Sequence, residues 1–269
     1  MNEAMEESNR KLSAVRRRGI FLLPNLLTTG GLFAGFYGIV AAIDGNYERA
    51  AVALFIAMGL DGLDGRMARL TGTESEFGKQ YDSLADLVSF GIAPAIIVYQ
   101  WGLVHLREYG WIWGKLGWLA AFLFAVSAAL RLARFNVTAR SSDRRFFEGL
   151  PSPPAAALVA SMVWLGTELE WSGGFTLALA TIVTAAAGAL MVSHLAYYSF
   201  KEVSPKGRIS FTYAFIIPLT FVLIALNPPV VLFTMASIYA LSGLATALWR
   251  SQRKRESRSR KQQGDTSET

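Results

Sequence analysis

Cysteine is absent from the 269-residue chain, histidine occurs twice, and only 17% of the residues are charged. Without a thiol there is neither a disulfide framework nor a thiolate metal site, and cysteine usage says nothing of the redox compartment. Scarce charge, set against 52% apolar residues and a mean hydropathy of +0.33, argues against an ordinary soluble domain and for one dissolved in a bilayer. No solenoid-type repeat is visible.

In place of charge the chain has long apolar runs. A helix needs roughly 18 to 25 apolar residues to cross a hydrocarbon core of ~30 Å. About eight segments approach that requirement: Ile20 to Ile43, Arg49 to Arg69, Asp82 to Gln100, Leu116 to Arg134, Pro154 to Thr167, Phe175 to Ser193, Phe211 to Leu226 and Val230 to Leu248. The fifth is short, and a longer, tilted segment beginning nearer Gly149 is its alternative. The expected fold is all-α: a polytopic membrane helix bundle of about eight transmembrane helices around a cytoplasm-facing polar active-site cavity. The first run follows "VRRRG" but is too long for a signal-peptide core and lacks a small-x-small cleavage site, so it reads as a retained span.

Basic residues orient the bundle. With both termini in the cytoplasm, 23 of the 26 Lys and Arg fall on the inner side, leaving Arg49, Arg107 and Lys115 outside. This asymmetry supports an even number of spans and a multi-pass protein of the cell (inner) membrane with both ends cytoplasmic. The tryptophans, at 101, 111, 113, 118, 164, 171 and 249, gather near span ends as an aromatic belt does. Residues 1–19 read as a cytoplasmic basic, interfacial N-terminal segment, 20–249 as the membrane domain, and 250–269 as a disordered basic cytoplasmic tail. Beside a membrane, that tail suits anionic headgroups rather than nucleic acid.

One stretch breaks the apolar pattern: "DGLDGRMARLTGTESEFGKQYDSLAD", Asp61 to Asp86. Asp61 and Asp64 are three apart, Asp82 and Asp86 four apart, and such spacings put side chains on one helical face. Two antiparallel helices joined by a short loop would aim four carboxylates into one space. At membrane depth that is tolerable only with cations among them. An all-oxygen set suits Mg²⁺, Mn²⁺ or Ca²⁺ rather than zinc, and the spacing is not that of an EF-hand. A pair of divalent ions sharing carboxylates would bind phosphates. Gly65 and Ala68 leave the same face bare, and Arg69 can supply charge-assisted hydrogen bonds to a phosphate there. The plain alternative is that each carboxylate caps a helix or pairs with Arg66, Arg69 or Lys79.

The positions Asp61, Asp64, Gly65, Ala68, Arg69, Gly78, Asp82 and Asp86 read D-x2-D-G-x2-A-R-x8-G-x3-D-x3-D. This resembles the signature of the CDP-alcohol phosphatidyltransferases, membrane enzymes that displace CMP from a CDP-linked lipid with an alcohol. The resemblance implies that Asp61, Asp64 and Asp82 are ligands of two divalent cations, Mg²⁺ or Mn²⁺. Asp86 would help hold the second ion and act as general base, the catalytic role. Gly65, Ala68 and Arg69 would receive the CDP moiety, with Gly78 easing packing near the loop and Asn25 and Thr28 bordering the nucleotide. A homodimer is a further implication.

The motif leaves the acceptor open. "LLPNLLTTGGLFAGF" from Leu22, "RLARFN" from Arg131, "FEGLPSPPAAA" from Phe147 and "MVSHLAYYSFK" from Met191 resemble the phosphatidylserine synthase branch. That implies CDP-diacylglycerol and L-serine as substrates, with membrane lipid as surroundings. Arg131 and Arg134, sharing a helical face, are candidates for the serine carboxylate; positive-inside anchoring is their other reading. Arginines equally suit glycerol 3-phosphate or an inositol phosphate. Ser152, between prolines, reads as a turn, Glu148 as a loop residue, and His194 as an interfacial histidine. The last two spans carry no assignable feature. Intramembrane carboxylates also line transporters, but a cluster at one end of the bundle fits an enzyme better.

Overall fold

The computed structural model describes residues 24–73, 75–138, 146–198 and 211–265. The N-terminal segment 1–19, the start of the first apolar run, and the basic stretches 139–145 and 199–210 lie outside the described residues, as do 266–269. Among the described residues eight helices follow one another: α1 (Pro24–Ile43), α2 (Tyr47–Thr71), α3 (Glu76–Trp101), α4 (Trp111–Thr138), α5 (Ser152–Glu168), α6 (Gly174–Val192), α7 (Phe211–Leu226) and α8 (Pro228–Asp265). A 3₁₀ segment, Leu103–Tyr109, links α3 to α4.

Over the described residues each apolar run named above matches a helix, the sixth running one residue past the helix end to Ser193. Among the described residues, five helices (α1, α3, α4, α6 and the Pro228–Thr246 part of α8) are long and apolar enough to cross a membrane. The other three fall short for separate reasons. α2 has the length but carries Asp61, Asp64, Arg66 and Arg69 in its second half; α5 and α7 have only 17 and 16 residues. α5 is apolar all round because it is enclosed, with α2 on one side and α8 on the other and 11 of its residues buried. α8 continues as helix to Asp265, through a stretch whose composition alone suggests no fold. Arg, Lys, Gln and Glu are strong helix formers, and a helix already nucleated in the bilayer propagates at little cost.

Small residues let the helices approach. α2 buries Ala50, Ala51, Ala53, Leu54 and Ala57 against its neighbours. Where α1 crosses α3, a β-carbon at Gly35 would lie 2.5 Å from Ser89 Oγ and 2.8 Å from Ser89 Cα. There α3 widens into a π-helical turn, Leu87–Ile92, and the Ser89 hydroxyl donates across to the Gly31 carbonyl at 3.1 Å. π-turns of this kind shift the register of the side chains that follow. This one begins directly after Asp86.

A short antiparallel ladder, Phe146–Glu148 with Ala196–Tyr198, ties the entry to α5 to the exit of α6. Its Tyr197 is 1% exposed and donates its hydroxyl to the Ala240 carbonyl of α8 at 3.0 Å. Burial, reinforced by Tyr239, pushes that phenol up to about 12, so it stays a neutral donor.

Gly35→Ala should lower the thermal unfolding midpoint of the purified protein, by the equivalent of about 1–3 kcal/mol for an overpacked contact. Gly62→Ala, whose added carbon meets nothing within 4 Å, should leave the midpoint level or slightly higher. Equal behaviour of the two variants would show that the α1–α3 crossing is not close-packed.

Candidate active site

The two acidic pairs are set by a helical hairpin. α2 ends at Thr71, and only Gly72 to Ser75 separate it from α3. Ser75 caps α3 by accepting from the Gly78 amide at 3.0 Å, which fixes the direction in which α3 leaves the loop. Antiparallel α2 and α3 then face each other with Asp61 and Asp64 opposite Asp82 and Asp86. One carboxylate oxygen each from Asp61, Asp64 and Asp82 lies within 4.8 Å of the others. Asp86 lines the same cleft and is within electrostatic reach of Asp61, Asp82 and Asp64.

Asp64 is 5% exposed, and the buried hydroxyl of Thr28 on α1 stands 2.7 Å from its Oδ2. A third helix thereby orients the deepest carboxylate. The narrow cleft among these groups is lined by Thr28, Gly31, Ala57, Ala85 and Ser89 besides the four aspartates. Three convergent carboxylate oxygens, with no sulfur or imidazole among them, fit a hard divalent cation at the ~2.0–2.6 Å bond lengths such ions take. The plain alternative of surface ion pairing is not what the geometry gives for Lys79: it pairs with Glu76 at 3.4 Å on its own helix. Arg66 and Arg69 are exposed.

Gly65 follows Asp64 on α2, and a β-carbon there would meet nothing within 4 Å. Helix packing therefore does not demand a glycine; the bare surface is open on the side where Arg69 projects. Gly78 is different: a β-carbon would lie 3.1 Å from the capping Ser75 Oγ and 3.6 Å from Asn25 Oδ1. Asn25 is thus brought to the α2–α3 loop, while Thr28, one turn on, reaches Asp64.

Arg131 and Arg134 share a helical face, yet the structure gives them different surroundings. Arg131 is within electrostatic reach of Asp86 and of Tyr239 on α8. Its Nη1 donates to Ser152 Oγ at 2.9 Å, and its buried Nε has no partner. Arg134 is at the rim, ion-paired with Glu148 of the short ladder and 3.1 Å from His194 Nδ1. Glu148 and His194, read from sequence as loop and interface residues, thus hold Arg134. Ser152 is the buried first residue of α5 rather than a turn residue. The Pro-Pro pair after it was the available signal for a helix start. Tyr239 had no such signal, since only tertiary packing carries α8 to this place.

The family model for CDP-alcohol phosphatidyltransferase matches residues 21–193. A CDP-diacylglycerol-serine O-phosphatidyltransferase of Helicobacter pylori is 36% identical over 226 residues, covering 84% of this chain and 90% of the relative. An archaetidylserine synthase of Methanothermobacter thermautotrophicus is 35% identical over 177 residues, 65% of this chain and 69% of the relative. A Saccharomyces cerevisiae CDP-diacylglycerol-serine O-phosphatidyltransferase is 37% identical over 146 residues, about half of each chain. The matched region holds the whole acidic hairpin and both flanking helices, and the chain belongs to the CDP-alcohol phosphatidyltransferase family.

Proposed function

We propose that the protein transfers the phosphatidyl group from CDP-diacylglycerol to L-serine, giving phosphatidylserine and CMP. The observation that carries the chemistry is the convergence of Asp61, Asp64, Asp82 and Asp86 across one helical hairpin. The names of the relatives support serine as the acceptor.

In this reading Asp61, Asp64 and Asp82 would hold two divalent cations, Mg²⁺ or Mn²⁺, with Asp86 assisting at the second. When bound, the ions neutralise the pyrophosphate and the charge developing on the leaving oxygen. Asp86 takes the proton of the serine hydroxyl. The serine oxygen attacks the phosphorus bonded to diacylglycerol, the bond from that phosphorus to the CMP oxygen breaks, and CMP departs. Thr28 fixes the orientation of the Asp64 carboxylate, as outer hydrogen bonds do for ligands in metal sites. Gly65 and Ala68 admit the nucleotide, Arg69 binds its phosphate, and Gly78 and Asn25 shape the loop edge of the same subsite.

Of the two arginines, Arg131 suits the serine carboxylate, because it faces Asp86 and keeps a free Nε–H while Ser152 fixes its other end. Arg134 already has Glu148, which gives it a structural part at the rim. The remaining elements of the reading are eight spans, a cavity open to the cytoplasm, both ends on that side in an inner membrane, and a homodimer. The charge asymmetry supports the orientation, and family resemblance supports the dimer. No nucleic-acid partner is called for.

Purified protein given CDP-diacylglycerol and Mn²⁺ or Mg²⁺ should release CMP with L-serine and not with glycerol 3-phosphate. Turnover only with glycerol 3-phosphate would keep the mechanism and discard serine. In the same assay Asp86→Asn should lose roughly 10²- to 10⁴-fold in turnover, the usual worth of a positioned general base. Arg131→Gln should raise the KM for serine far more than that for CDP-diacylglycerol. An equal rise in both would remove Arg131 from the acceptor site.

A further inference from the structure

A second polar site lies at the other end of the bundle. Lys115 precedes Arg131 by about 24 Å along α4 at 1.5 Å per residue, which is most of the hydrocarbon thickness. There a cavity of about 300 Å³ is lined by Tyr99, Arg107, Trp111, Gly114, Lys115 and Trp118. Two of the six are cations and none is an acid. Glu108, next to Arg107 in sequence, is engaged with His105 at 3.0 Å.

The two segments that carry these cations are closely packed. A β-carbon at Gly114 would lie 3.1 Å from Arg107 Cβ and 3.2 Å from its Cα, and one at Gly117 would lie 2.6 Å from the Leu103 carbonyl oxygen. Omitting both side chains presses the 3₁₀ segment onto α4, with Arg107 against Gly114, the residue before Lys115. Arg107 and Lys115 are both exposed on the lining of this one cavity, a positive lining that favours an anion. Lys115 Nζ stands 3.6 Å from the centroid of the Trp111 ring, which orients it without neutralising it. From the cavity an exposed apolar strip runs down α4 through Leu119, Phe122 and Leu123, with Trp118 stacked on Phe122 at 5.3 Å. A free anion has no use for that strip, whereas an acyl chain does.

We infer that this cavity binds the phosphate-bearing headgroup of an anionic glycerophospholipid in the leaflet opposite the aspartates. Arg107 and Lys115 share the phosphate, the Trp111 and Trp118 rings flank the glycerol, and the chains lie along α4. This site is separate from the reaction and does not depend on the acceptor.

The test compares full-length wild type, the double variant Arg107→Gln with Lys115→Gln, and Arg49→Gln, which removes the remaining outer cation away from the cavity. Each is purified in phosphatidylcholine micelles and titrated with phosphatidylglycerol as probe, and retained lipid is counted by native mass spectrometry. Wild type and Arg49→Gln should retain one more tightly bound phosphatidylglycerol than the double variant, whose apparent affinity at that site falls by roughly 10- to 30-fold. CMP release by the double variant in the serine assay shows that it remains folded. Equal retention by all three proteins, or an equal loss in Arg49→Gln, would overturn the inference. So would displacement of the lipid by millimolar inorganic phosphate, which would identify a free-anion site instead.

Discussion

Four carboxylates held on one helical hairpin are the constraint around which this bundle is built. Carboxylates of like sign within a few ångströms repel strongly wherever water is scarce, and at membrane depth each adds a desolvation cost. A fold meets that cost only if cations are present and if the surrounding helices prevent the pairs from splaying apart. The second requirement is met by the packing. The α2–α3 loop is short and capped by Ser75. α1 is locked to α3 at Gly35 and Ser89, and its Thr28 reaches over to Asp64. The alanine face of α2 anchors the other wall.

The same packing decides which polar groups can enter the chemistry. α5 sits at the centre of the bundle, and its first residue, Ser152, meets Arg131 at the edge of the acidic cleft. The short β-ladder anchors this corner to α8 through Tyr197, and it uses Glu148 to hold Arg134 at the rim. One arginine is thereby left facing Asp86. The selection is made by tertiary contacts, not by the helical spacing that the two arginines share.

The acidic hairpin was legible because spacings of three and four on amphipathic helices translate directly into one face, and because the eight-position motif is long. The helices themselves were legible from apolar runs, with their centres placed better than their ends. Length was not: α5 is apolar because protein encloses it, a condition that hydropathy cannot tell from lipid. The helical continuation of α8 to Asp265 is not legible in composition because low apolar content argues against burial, not against a helix already started upstream. Ser152 and Tyr239 become meaningful only once α5 and α8 are placed beside Arg131. The cavity at Arg107 and Lys115 was invisible for the same reason: in sequence, these residues are only exceptions to a charge rule.

The central claim is that the hairpin is a cation-binding device, and Mn²⁺ binding tests it most directly. Electron paramagnetic resonance of the purified protein titrated with Mn²⁺ should show two bound ions per chain with the spectrum of a spin-coupled pair. In Asp64→Asn the coupling should disappear while the protein stays folded. A wild-type protein that binds no Mn²⁺ yet turns over fully after chelation would contradict the account.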